Sequence, residues 1–265
     1  MKILAILGSP HRGNTFRITQ NIERKMKELG DVEFEYIHLI DYPLNPCRGC
    51  FACFINGEDK CPEKDGRDEL IRKLYESDGV VFVSPTYAMT VSWLFKIFID
   101  RFAYNLHRPC FFGKYAVVVS AAGNPGLDDT LKYMAGIASG IGFDVVDKLG
   151  LNALPDNFSL KPLMYRKDRT DEVAGNLFRA ITEKRPKKLG MYDYLHFLSM
   201  REIYRTIGDD SPTDNAYFES KGWYEKGRSY FHDNVRGNAI AKLGAVIMTK
   251  MMVRELKKKQ AGSKK

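Results

Sequence analysis

Four of the five cysteines fall in one short run, Cys47-x2-Cys50-x2-Cys53-x7-Cys61. Two-residue spacers let three thiolates reach one face of a metal cluster, and the longer return brings the fourth. Gly49 and Gly57 supply the turn freedom that such a loop needs. Zinc also takes four thiolates, although its structural sites more often use two separated pairs. Free or redox-active thiols are the third reading. An odd cysteine count without an export signal argues against a disulfide framework. Cys110 follows Pro109, stands apart from the run and reads as a buried structural thiol.

A second chemical feature precedes the cysteines. Gly8-Ser9-Pro10-His11-Arg12-Gly13-Asn14-Thr15 separates an aliphatic run from an amphipathic one. Two glycines and three short hydroxyl or amide side chains suit a loop that wraps backbone N–H groups around an anion at a helix start. The Gly-Lys-Ser/Thr of a nucleoside-triphosphate loop is absent, and so is G-x-G-x-x-G. A response-regulator receiver would place Asp at the end of the third strand, where this chain has Ser84. A monophosphate loop fits the letters best. Two further loops join it. Ser84-Pro85-Thr86-Tyr87-Ala88-Met89-Thr90 is neutral and carries an aromatic, which suits a flat conjugated ring. Ser120-Ala121-Ala122-Gly123-Asn124 is built of small residues that let a ligand come close to the backbone.

The elements that must carry these loops alternate. Strands are expected at 2–7, 33–39, 79–84, 115–120 and 144–151. Helices are expected at 15–29, 67–77, 92–104 and 128–140. The runs at 79–84 and 115–120 are continuously apolar, as in strands buried on both faces. Alternation implies a parallel sheet with right-handed crossovers; strands 1, 3 and 4 look the most buried, and a doubly wound five-stranded order of 2-1-3-4-5 puts those three in the middle. The ligand crevice then opens between the ends of strands 1 and 3. Beyond residue 155 the pattern turns helical, at 171–183, 194–207 and 238–258, with aromatics between. The chain is therefore expected to divide into an α/β domain, 1–154, carrying the cysteine-rich loop 47–61, and a helical C-terminal extension, 155–265. The extension's aromatics, among them Trp223 and Phe231, read as core. The last helix is expected to pack on the core or on a second subunit.

Composition narrows the class. Hydrophobic residues at 44% and charged residues at 28% suit a globular protein with a substantial core. No long uncharged apolar stretch points to a membrane span, and Lys2–Leu7 reads as a first strand rather than a leader. A cytoplasmic protein is expected. Much of the net charge of +8 comes from the tail, where Arg254, Lys257, Lys258, Lys259, Lys264 and Lys265 face only Glu255. No nucleic-acid motif accompanies that charge, so no nucleic-acid partner is expected.

Gly8-Ser9-Pro10 with Gly13-Asn14-Thr15, then Ser84-Pro85-x-Tyr87, then a helix ending in Asp100-Arg101, resemble the NAD(P)H-dependent FMN reductase family over residues 1 to about 150. The cysteine run resembles that of its iron–sulfur flavoprotein branch. The resemblance implies a flavodoxin-like fold. It implies FMN held by Ser9, His11, Arg12, Gly13, Asn14, Thr15, Pro85, Thr86, Tyr87, Ala88, Met89, Ala121, Ala122 and Gly123. It further implies a 4Fe–4S cluster on Cys47, Cys50, Cys53 and Cys61, a homodimer or homotetramer, and NAD(P)H or a ferredoxin-like protein as electron donor. The cofactors would carry the chemistry, so no catalytic side chain is expected. The resulting expectation is an FMN-dependent oxidoreductase passing electrons to or from a redox partner through the cluster. The alternatives are a cluster-free NAD(P)H-dependent FMN or quinone reductase and a non-catalytic ligand-binding or regulatory module.

Overall fold

The structure is a computed structural model that describes residues 1–123, 125–152, 167–207 and 211–263. The expected boundary at 154/155, Asn124, Lys264 and Lys265 lie outside the described residues. The chain forms two compact units, one of residues 1–50 and 63–185, the other of residues 51–62 and 186–265.

The first unit runs β1 (Lys2–Leu7), α1 (Asn14–Leu29), β2 (Glu33–His38), α2 (Arg67–Glu76), β3 (Gly79–Tyr87), α3 (Trp93–Arg101), β4 (Tyr115–Ala122), α4 (Leu127–Gly140), β5 (Asp144–Asn152) and α5 (Lys167–Thr182). The five strands pair in parallel in the order β2-β1-β3-β4-β5, the flavodoxin-like arrangement. A two-residue strand, Thr90–Val91, folds back antiparallel on the end of β3.

Strand periodicity divides the core into two faces. Leu4, Ile6, Val80, Phe82, Ala116 and Val118 point to one side, against Leu70 and Leu74 of α2, Phe95 and Phe98 of α3, and Met134 and Ala138 of α4. Their neighbours Ile3, Ala5, Leu7, Val81, Val83, Val117 and Val119 point to the other. There they meet Ile18, Ile22 and Met26 of α1 and Val173, Leu177 and Ala180 of α5.

That second face is closed by a helix from beyond residue 166. Three right-handed crossovers carry α2, α3 and α4 to one side of the sheet, and only the β1–β2 crossover puts a helix, α1, on the other. One helix leaves the apolar face of β3, β4 and β5 open to water, which is costly. The helix expected as the first of the extension covers it: Val173 and Leu177 are fully buried, and Leu177 and Ile181 close over Gly79. It belongs to the α/β unit, which extends to residue 185.

The second unit comprises α6 (Met191–Ile207), α7 (Pro212–Ser220), α8 (Ala239–Ser263) and the parallel pair β6 (Lys187–Lys188) and β7 (Val235–Arg236). With them belong a one-turn helix, Ala52–Ile55, and a 3₁₀ turn, Glu58–Lys60. Its centre is aromatic. Phe197, Phe218, Trp223 and Phe231 meet edge to face, and Trp223 Nε1 donates to the Phe231 carbonyl at 2.9 Å. These aromatics are core. In α8, the helix expected to pack, Ile240, Leu243, Ile247 and Met251 are exposed on this chain. No helix among the described residues is long and apolar enough to cross a membrane.

Candidate functional site

A cleft of about 280 Å³ opens at the C-terminal ends of β1, β3 and β4. It is lined by Ser9, His11, Gly13, Asn14 and Thr15 from the first loop, Pro85, Thr86 and Tyr87 from the second, and Ala121, Ala122 and Gly123 from the third. None of these lining residues is acidic, which suits an anionic occupant.

The first loop is held by its backbone. Gly8 N–H donates to the Val83 carbonyl at 2.8 Å, and the Gly8 carbonyl accepts from Ser92 Oγ. A Cβ at residue 8 would lie 2.6 Å from Phe95 Cβ, so only glycine brings the end of β1 this close to α3. Ser9 is buried and its Oγ accepts from His11 N–H at 3.2 Å, folding the loop back on itself. α1 then starts at Asn14 behind Gly13, with no capping side chain and no acidic residue in its first turn. That leaves the positive end of the helix dipole facing the loop without competition from a carboxylate.

Two buried serines join the first loop to the second. Ser84 Oγ accepts from Ser92 N–H at 3.0 Å, and Ser92 Oγ caps α3 by accepting from Phe95 N–H at 3.2 Å. A chain of hydroxyls joins the second loop to the third. Ser120 Oγ lies 2.9 Å from Thr86 Oγ1, which donates to Thr130 Oγ1 at 3.0 Å; Thr130 donates in turn to the Gly126 carbonyl at 2.9 Å. Ser92, Ser120 and Thr130 were not legible as site residues, because their partners lie 84, 34 and 44 positions away.

Three residues expected at the ligand do not line the cleft. Arg12 is well exposed and sits 3.8 Å from Asp41. Ala88 and Met89 form the tip of the hairpin between β3 and Thr90–Val91, with φ of +47° and +71°. Two successive left-handed residues are what a two-residue turn with the correct twist demands, usually met by Asn-Gly. Here neither is glycine, so the tip carries backbone strain. It packs on Gly126, where a Cβ would lie 2.8 Å from Met89 Cα. Beside the loop, burial and then the Arg12 charge push the His38 imidazole below the usual histidine range, with Asp41 opposing.

None of the four clustered cysteines is in a disulfide; Cys47 and Cys50 are exposed, Cys53 and Cys61 half-buried. Cys110, expected as a buried thiol, is half-buried and accepts from Asn105 Nδ2 at 3.5 Å. Cys47 Sγ accepts from Gly49 N–H at 3.4 Å, a bond made possible by the left-handed Gly49. The donor set has the right chemistry for a thiolate cluster. Among the described residues no three His, Cys, Asp or Glu side chains form a metal-binding group.

The strand order and the cleft at its switch point define a flavodoxin-like α/β protein with a site of mononucleotide type. The chain belongs to the NADPH-dependent FMN reductase family, whose profile matches residues 1–171. It is 38% identical over 129 residues to an iron–sulfur flavoprotein of Archaeoglobus fulgidus, covering 47% of this chain and 57% of that protein. It is 37% identical over 140 residues to one of Methanocaldococcus jannaschii, covering 50% and 68%. The chain thus spans about half to two-thirds of the length of these curated relatives. Among solved structures, a flavone reductase superposes with a TM-score of 0.52 at 21% identity, over 69% of this chain and 64% of that one. RosB superposes with a TM-score of 0.51 at 13% identity, over 90% and 92%. These likenesses show the fold.

Proposed function

We propose that this chain is an FMN-dependent oxidoreductase. The observation that carries the reading is the cleft itself. Three loops separated in sequence converge at the switch point, and eleven of the fourteen residues expected at FMN line the one cavity they form. In this reading Ser9, Asn14, Thr15 and the start of α1 hold the 5′-phosphate. Small Ala121, Ala122 and Gly123 let the ring edge approach the backbone. Thr86 is held by Ser120 and Thr130 so that its loop does not move as charge develops nearby. Tyr87, 44% exposed, stands at the mouth, where a donor such as NAD(P)H would enter. Bound there, FMN would supply two-electron and one-electron transfer, and the protein supplies position and electrostatics.

The same reading takes Cys47, Cys50, Cys53 and Cys61 as ligands of an iron–sulfur cluster. Their spacing and the names of the relatives support it. Metal would complete the gathering of the thiolates, since preformed sites of this kind are uncommon without it. A cluster-free NAD(P)H-dependent FMN or quinone reductase is the second reading. The further expectations are a ferredoxin-like partner and a homo-oligomer.

Anaerobic purification followed by flavin, iron and sulfide analysis tests both parts. A yellow protein with FMN, reduced by NADH, NADPH or reduced ferredoxin, supports the oxidoreductase. About four irons per chain support the cluster. Protein that stays colourless after incubation with excess FMN refutes the first part. FMN without iron, after reconstitution with ferrous iron and sulfide, leaves the cluster-free enzyme.

A further inference from the structure

The stretch that bears the four cysteines has its two stems tied together by one buried cation. Arg101 ends α3, and its side chain is only 1% exposed; Asp65 beside it is 5% exposed. Nη1 of Arg101 donates to Asp65 Oδ2 at 2.6 Å and to the Asn45 carbonyl at 3.0 Å. Nη2 donates to Asp65 Oδ1 at 2.9 Å and to the Glu63 carbonyl at 3.2 Å. The carboxylate is filled from its far side by backbone N–H groups, Asn45 on Oδ2 at 2.8 Å and Arg67 on Oδ1 at 3.2 Å. Glu63 adds a second tie: its carboxylate accepts from Asn45 Nδ2 at 3.0 Å and pairs with Arg48, which lies between Cys47 and Cys50.

Every partner in this network lies immediately before Cys47, between Cys47 and Cys50, or just after Cys61. A buried ion pair is a poor stabiliser for its own sake, because desolvation consumes most of its attraction. Its best-attested use is to fix a register. A planar guanidinium that reaches two carbonyls and both oxygens of one carboxylate fixes the separation of residues 45 and 63–65 far more tightly than one hydrogen bond would. It also removes the closure cost that a free loop would meet on binding a ligand.

We propose that Arg101 is a positioning residue for the thiolates. Paired with Asp65, it clamps the stems of the cysteine loop and pre-organises the chain to take up an iron–sulfur cluster. This rests on the cluster reading given above. The test compares wild type, Arg101→Met and Arg101→Lys after anaerobic reconstitution with ferrous iron and sulfide, reading iron content, visible and EPR spectra, and bound FMN. Tryptic cleavage at Arg48 and Lys60 is followed in the metal-free proteins. Arg101→Met is expected to hold iron at least about tenfold more weakly, as for a lost outer partner of a metal ligand, while keeping FMN. Arg101→Lys, which retains the charge but not the fork, should fall between, with an altered EPR signal. Cleavage in the metal-free loop should accelerate about tenfold in Arg101→Met, tracking the opened population. Wild-type iron content and EPR signal in Arg101→Met would overturn the proposal. If wild type itself takes up no iron, the cluster reading fails, and the clamp is judged on cleavage alone, equal rates overturning it. If Arg101→Met loses FMN and fold together, Arg101→Lys and Asp65→Asn decide by the same readouts.

Discussion

Gly8→Ala is the sharpest test of how the cleft is built. The added Cβ would sit 2.6 Å from Phe95 Cβ, 3.0 Å from Cδ2 and 3.2 Å from Cγ. The nearest atom is the root of the Phe95 side chain, which cannot rotate away. Residue 8 cannot retreat freely either, because its N–H is bound to Val83 and its carbonyl to Ser92. Overpacking of this kind costs about 1–3 kcal/mol. If the strain is released by displacing the loop to Thr15, the cost falls on ligand affinity, about 5- to 150-fold at 1.4 kcal/mol per decade. If the loop holds, the cost appears as lost stability instead. FMN fluorescence-quenching titration and urea unfolding of the flavin-free protein together account for it. Phe95→Leu should not rescue, since it keeps the offending Cβ. Gly136→Ala, on the exposed side of α4 and with nothing within 4 Å of the added Cβ, is the control and should leave affinity within about twofold. Unchanged affinity and unchanged stability in Gly8→Ala would refute the close approach of β1 to α3 as the determinant of the loop.

Three further outcomes are expected. Ser92→Ala removes both the α3 cap and the bond to the Gly8 carbonyl, and should destabilise by about 1–2 kcal/mol in urea unfolding. Leu177→Ala, in the helix that closes the second face of the sheet, should cost about 2–5 kcal/mol; a negligible loss would mean that α5 is not part of the core. Burial, reinforced by the Lys187 charge, lowers the His232 imidazole from 6.5 to about 4. The unfolded chain therefore takes up this proton first as pH falls. The stability contribution is intact above pH 6.5 and is lost progressively toward about pH 4. Urea midpoints measured across that window should fall with acidification, and His232→Gln should flatten the slope.

The elements of the α/β unit were legible to within a few residues because their signals are local. Lys2–Leu7 and Tyr115–Ala122 are runs of aliphatic residues bounded by polar or glycine positions, and α1 shows its buried stripe of Ile18, Ile22 and Met26 in the letters. The helix Pro212–Ser220 was missed, since its aromatic and polar residues show no periodic face and its buried positions are only Asp214 and Phe218. The hairpin at Ala88–Met89 was missed because its turn lacks the glycine or asparagine that usually announces one.

From the sequence alone came the strand order, through alternation, handedness and the apolar run of the strands placed in the middle, and with it the three loops that had to meet and the cysteines that had to share a short segment. Those inferences need only near-neighbour spacing and the chirality of the chain. Tertiary structure alone decided that α5 closes the sheet, that Arg12 turns to Asp41 while Thr86 turns to Ser120 and Thr130, and that Arg101 reaches back to Asp65, 36 residues away. Each of those outcomes depends on which polar group lies within hydrogen-bond reach once the backbone has packed. Sequence separation carries no record of that distance.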